Sequence, residues 1–167
     1  MAKSSATSSA DLKGYAPFFL FAGTLVALDQ LTKYILSQAL SLNTGKVIIP
    51  GFFNLVHVRN TGGAFSLFAG SGSSWRRPLF IILTLVVVSI ITYAYGKVAK
   101  SDIWSRAAYS FIAGGAVGNL VDRLLTGSVV DFLDFHAGSW HWPAFNVADI
   151  AISTGAVMLL ISLLRGK

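Results

Sequence analysis

The stretch PLFIILTLVVVSIITYAY, Pro78 to Tyr95, runs eighteen residues without a charge, and no other feature restricts the fold as strongly. A helix rises about 1.5 Å per residue, so this length nearly crosses a ~30 Å hydrocarbon core. A water-soluble domain would have to bury such a helix on every side. The rest of the chain cannot supply that covering. Of 167 residues, 54% are hydrophobic and 12% charged, and the mean hydropathy is +0.66. This composition marks a membrane protein.

Three more apolar runs are predicted to span: Pro17 to Leu36, Trp104 to Val121 and Ala144 to Leu164. Four spans put both termini on one side. The apolar start at Ala16 resembles a signal-peptide core, but it continues through DQLTKYIL without a small-residue cleavage site. Met1 to Tyr15 is Ser/Ala-rich and reads as a short flexible tail. Between the first two spans, Ser37 to Arg77 carries turn signals around β-branched and aromatic stretches such as KVII and FFNLVHV. It is expected to form a small interfacial sheet. The fold class is therefore an all-α polytopic membrane protein, with four transmembrane helices and a small extramembrane β-sheet cradle between helices 1 and 2. One domain is expected over residues 1–167.

Charge decides less. The termini and the Gly96–Ile103 loop, with Arg106 just beyond, hold seven Lys and Arg, against five on the other side. This modest excess favours the termini inside. The net charge of +6 is spread without a dense basic run, so no nucleic-acid partner is expected, and membrane lipids account for it. Cysteine is absent, which removes thiol nucleophiles, thiolate metal sites and disulfides. His57, His136 and His141 lack zinc spacing, so neither a metal nor another cofactor is expected. AGSGSSW, Ala69 to Trp75, reads as a flexible connector. Trp140 and Trp142 fit an interfacial aromatic belt. Gly114 and Gly118 indicate close helix packing.

The polar residues within the spans are more informative. All seven acids are Asp, and burying one at a helix centre costs about 2.5 to 3.5 kcal/mol on insertion scales. Alternation of four spans brings Asp29 and Lys33, then Asn119, Asp122 and Arg123, then Asn146 and Asp149 to the same membrane face. Asp149 is predicted ~8 Å below the start of its helix. Asp131, in the connection from Leu124 to Pro143, can fold back to that level. Asp29 and Lys33 are spaced to pair with each other, and Asp122 beside Arg123 suits an interfacial anchor. Asp131 and Asp149 have no cation at helical spacing.

Two carboxylates close together in a low-dielectric cleft share a proton. That is the requirement for aspartyl hydrolysis, in which the ionised acid activates water and the protonated one hydrogen-bonds the scissile carbonyl. Eighteen residues separate Asp131 from Asp149, so spacing alone does not set them side by side. A proton-coupled transporter using Asp29, Asp122 and Asp149 as a relay is the alternative, although the acids gather at one face. A non-catalytic membrane scaffold is a third reading.

LDQLTK (Leu28–Lys33), RNTGGAFS (Arg59–Ser66), GGAVGNLVDR (Gly114–Arg123), VVDF (Val129–Phe132) and FNVADIAISTG (Phe145–Gly155) resemble, in order, the five sequence blocks of bacterial lipoprotein signal peptidase, signal peptidase II. The resemblance covers about Pro17 to Leu164. It implies an intramembrane aspartyl endopeptidase that removes signal peptides from prolipoproteins carrying a diacylglyceryl-modified cysteine, cutting on the amino side of that cysteine. By motif, Asp131 and Asp149 would be catalytic. Asp29, Lys33, Asn60, Asn119, Asp122, Arg123 and Asn146 would support the site or bind substrate. The family's interfacial sheet would lie within Ser41 to Phe68. A cofactor-free monomer with cytoplasmic termini is expected, and the resemblance further implies the bacterial inner membrane, a site toward the periplasm, and lipidated prolipoproteins and membrane lipids as partners.

Overall fold

The computed structural model describes residues 9–62 and 75–165. The connector read at residues 69–74, the last residues of the predicted interfacial segment (63–68) and the first eight residues lie outside them. The chain forms α1 (Ser9–Ala39), β1 (Gly45–Ile49), β2 (Phe53–Asn60), α2 (Arg76–Lys97), α3 (Ile103–Thr126), β3 (Val129–Ala137), β4 (Trp140–His141) and α4 (Val147–Leu164). By length and composition α1, α2 and α4 can each cross a membrane.

Two sequence expectations are corrected. The N-terminal tail does not reach Tyr15, because α1 starts at Ser9. Tyr15 is tied to the bundle through rings 5.5 Å from Tyr95 and 6.4 Å from Phe18. The fold is also not all-α with a sheet confined between helices 1 and 2. The sheet is antiparallel in the order β1-β2-β3-β4, and two of its strands come from the connection between α3 and α4. Phe53 faces Phe135 and Asn60 faces Val129 across the β2–β3 pair. The segment read as a loop is thus a strand, and it carries Asp131.

The helices meet through small residues. α3 lies at the centre of the bundle, packed against α1, α2 and α4, and most of its buried residues are Ala, Gly and Ser. A Cβ at Gly114 would come within 2.9 Å of the Ala22 carbonyl of α1, and one at Gly155 within 2.6 Å of the Ala108 carbonyl of α3. These glycines allow backbones to approach closely where apolar burial gives no drive between helices. α3 begins at Asp102, whose side chain accepts the Ser105 N–H. It ends at Gly127, whose φ of +79° suits a left-handed cap. The large apolar side chains, Leu20, Ile82, Ile90 and Leu160 among them, point outward, as a lipid-facing surface requires.

Candidate active site

The α4 N-terminus explains the most expensive acid in the sequence. Asn146 caps the helix, its Oδ1 accepting the Asp149 N–H at 3.0 Å, while the Asn146 N–H donates back to Asp149 Oδ2 at 3.2 Å. This reciprocal box satisfies two backbone donors and sets a carboxylate on the positive end of the helix dipole. The expectation of ~8 Å of depth is therefore corrected. Phe145 still pairs with Leu133 of β3, helix starts only at Val147, and Asp149 lies in its first turn.

β3 delivers the second acid. Asp131 sits opposite Val58 of β2 and is 3% exposed. Asn146 Nδ2 donates to its Oδ1 at 2.7 Å and Asn60 Nδ2 to its Oδ2 at 3.1 Å. The same Asn146 amide donates to Asn119 Oδ1 at 3.2 Å, and Asn119 Nδ2 donates to Asp149 Oδ1 at 2.8 Å. Two asparagines thus connect the carboxylates that spacing alone could not bring together. Both acids line one cleft of about 600 Å³ between α2, α3, α4 and the sheet. Its walls are largely apolar, with Phe80, Val87, Ile112 and Ile152 among them. Neither acid forms an ion pair among the described residues.

Asp131 lies outside the membrane-spanning helices. Burial is the main cause that lifts its pKa from 3.8 to about 7, and the charge of Asp149 adds to it. The bonds from Asn60 and Asn146 and the charge of Lys33 oppose the rise without cancelling it. An acid in this range is able to hold a proton near neutral pH.

Beside the cleft, Lys33 is buried against the acids of two helices. Its Nζ lies 2.7 Å from Asp29 Oδ2, 3.0 Å from Asp122 Oδ2 and 3.0 Å from Asn119 Oδ1. Asp29 therefore does pair with Lys33 as its spacing suggests, but Asp122 does not act as an anchor with Arg123. Asp122 turns inward to Lys33. Each acid of this cluster also grips backbone: Asp29 Oδ1 accepts the Ala148 N–H at 2.9 Å and Asp122 Oδ2 the Val130 N–H at 3.1 Å. Ala148 precedes Asp149 and Val130 precedes Asp131, so the cluster fixes the chain immediately before each cleft carboxylate.

Gln30 was not among the residues singled out by sequence. Its amide donates to Asp122 Oδ1 at 2.9 Å, the Gly118 carbonyl at 3.1 Å and Asp29 Oδ2 at 3.2 Å. The available signal was an amide beside Asp29 within a predicted span. Arg123 lies over the Phe80 ring at 5.0 Å and donates to the Gly62 carbonyl at 3.1 Å, closing one side of the cleft. All nine residues singled out above thus meet in one connected region.

Residues 21–165 match the family model for signal peptidase (SPase) II. The chain belongs to the signal peptidase II family. The lipoprotein signal peptidase of Syntrophotalea carbinolica is 46% identical over 143 residues, covering 86% of this chain and 88% of that one. The protein of the same name from Pseudomonas syringae pv. tomato is 40% identical over 144 residues, covering 86% and 83%. A solved bacterial membrane enzyme superposes with a TM-score of 0.79 at 33% identity, covering 89% of this chain and 88% of its own. Signal peptidase II membership makes the chain a protease, and the aspartic type fits the family.

Proposed function

We propose that Asp131 and Asp149 are the catalytic pair of this protease, which cuts diacylglyceryl-modified prolipoproteins on the amino side of the lipidated cysteine. Signal peptidase II membership and the shared name of the relatives carry the class of activity: lipoprotein signal peptide processing. The relatives give the transporter alternative no support. The observation that carries the residue assignment is the joining of Asp131 and Asp149 through Asn146 and Asn119 at one cleft, with no cation paired to either acid among the described residues.

The chemistry follows from one proton held between two carboxylates. The ionised acid takes a proton from a water molecule, and the water oxygen attacks the scissile carbonyl carbon. The protonated acid hydrogen-bonds the carbonyl oxygen as it gains charge, and a proton then passes to the departing amine. No covalent bond to the protein forms. Asn60, Asn119 and Asn146 orient the carboxylates, while Asp29, Lys33 and Asp122 brace the chain beneath them. Arg123 borders the cleft where the substrate backbone would pass.

The membrane arrangement belongs to the same proposal. α3 is 24 residues long, about 36 Å at 1.5 Å per residue, and crosses as a fourth span. Its small and polar residues face other helices, so it needs less apolar character than lipid-facing α1, α2 and α4. The chain forms one membrane-embedded domain and works as a monomer in the bacterial inner membrane, with cytoplasmic termini and the cleft at periplasmic depth. A lipidated cysteine holds the scissile bond at that depth, and its acyl chains add ~0.8 kcal/mol per buried methylene.

A gel-shift assay in liposomes tests the assignment, using one prolipoprotein with and without the diacylglyceryl group. Wild type should cleave only the lipidated form, and Asp131→Asn and Asp149→Asn should cleave neither while remaining folded. Undiminished cleavage by either variant removes that residue from the pair.

A further inference from the structure

A second cavity, about 550 Å³, opens at the other end of the bundle. Arg106 marks its place: it is thirteen residues before Asn119 on α3, about 20 Å along the helix axis. Lys13, Lys100 and Arg106 all line this cavity, together with Pro17, Phe21 and Ile103. We propose that it binds the headgroup phosphate of an anionic phospholipid, with the acyl chains lying along the apolar wall.

The three cations come from different parts of the chain and converge on Gly14. Arg106 Nη2 donates to the Gly14 carbonyl at 2.7 Å and to the Tyr95 hydroxyl at 2.6 Å, and Nη1 reaches the Val98 carbonyl at 3.4 Å. Its guanidinium lies 3.9 Å from the centre of the Tyr95 ring. The group is thereby fixed in position, and two of its five donors keep no protein partner among the described residues. Lys100 runs beside Gly14, its Cε 3.8 Å from where a Cβ would stand, and Lys13 is the preceding residue. Both lysines are exposed.

None of the three forms an ion pair among the described residues. Asp102, close in sequence to Lys100, caps α3, where its side chain accepts the Ser105 N–H at 3.1 Å. Three positive charges around one mouth favour a phosphodiester and disfavour a headgroup with its own cation. Phe21 and Ile103 present exposed apolar surface at the same cavity, which suits acyl chains and gives nothing to a soluble anion. Juxtamembrane cations attract anionic lipid by ~1 kcal/mol each. A fixed arginine between two flexible lysines adds a place for one particular molecule.

This inference rests on the membrane placement and not on the peptidase chemistry, and its test reads binding alone. Purified protein in detergent is titrated with phosphatidylglycerol or phosphatidylcholine and followed by native mass spectrometry. Wild type should retain one phosphatidylglycerol in preference to phosphatidylcholine. Lys13→Gln should weaken retention about 5-fold and the Lys13→Gln, Lys100→Gln double variant about 25-fold, which is ~1 kcal/mol per cation. Both lysines are exposed, so circular dichroism and thermal unfolding should match wild type. Equal retention by the double variant, or equal retention of phosphatidylcholine, overturns the proposal. Displacement by millimolar inorganic phosphate would reassign the cavity to a soluble anion and overturn it as well.

Discussion

Two acidic centres stand at the same end of this bundle, built from the same residue type and treated in opposite ways. Asp29 and Asp122 share buried Lys33, and their remaining oxygens accept backbone and amide donors. Asp131 and Asp149 meet neutral asparagine amides, with no ion pair among the described residues, and face an open cleft. Burying a charge is tolerable when an opposite charge and hydrogen bonds offset its lost hydration. The first centre meets that condition and holds backbone in place. The second does not, and its Asp131 keeps a protonation equilibrium near neutral pH. Under the proposed assignment, this contrast separates carboxylates that brace from carboxylates that react.

The contrast predicts two kinds of damage. Asp131→Asn or Asp149→Asn should lower the cleavage rate by on the order of 10³-fold or more, since general acid–base contributions alone reach 10² to 10⁴. Melting temperatures in the same detergent should not fall. Lys33→Met should act on the other side of the comparison. It leaves two buried carboxylates without their cation, a change that costs about 3 to 5 kcal/mol when a buried pair is broken. Thermal unfolding should drop sharply, and activity should fail with the fold. A stable but inactive Lys33→Met, or an unfolded Asp131→Asn, would erase the division between the centres.

How much of this was legible depended on which physical signal each residue left. Three of the spans, α1, α2 and α4, were readable because apolar runs of membrane length have few alternative fates. β3 was not. Val129 to Phe132 are buried on both faces of the strand, so the alternation that betrays a half-buried strand is missing, and the segment read as a connection. The first turn of α4 was misplaced because Ala144 and Phe145 extend the apolar run, although Phe145 pairs with β3. Asn146 followed three residues later by Asp149 was a capping signature in plain view, with Asp in the position Glu usually takes. The pairing of Asp131 with Asp149 came from the family resemblance. In the fold it rests on asparagine contacts between α3, β3 and α4, which no local pattern encodes.

The raised pKa of Asp131 turns the comparison into a pH experiment. Its carboxyl goes from 3.8 to about 7 in the fold, so between those values the folded state binds more protons than the unfolded one. Stability contributed by that proton is present below pH ~4 and is lost as pH rises through about 7. Asp131→Asn cannot ionise, so its melting temperature relative to wild type should increase between pH 5 and pH 8. Cleavage by wild type should decline as pH rises through about 7, because the pair then loses the proton that its mechanism requires. Lys33→Arg should leave the position of this limb unchanged. A flat rate profile from pH 6 to 9 would exclude Asp131 as a proton-carrying member of the pair.

The smallest expected effect isolates the amide shell. Asn60 donates to Asp131 Oδ2 and opposes the rise in its pKa, and its own Oδ1 accepts the Gly62 N–H. Removing the donor in Asn60→Ala favours the protonated acid, so the basic limb of the rate profile should move to higher pH. Asp131 keeps its bond from Asn146, which limits the displacement to on the order of one pH unit, the ~1.4 kcal/mol scale of one charge-assisted hydrogen bond. Below the limb, at pH 6, the rate should fall by less than about tenfold, because positioning is loosened while both carboxylates remain. A loss of packing alone would lower the rate equally at every pH and leave the limb in place. Movement of the limb is therefore the result that assigns Asn60 to the electrostatics of the pair, and a fixed limb would remove it from that role.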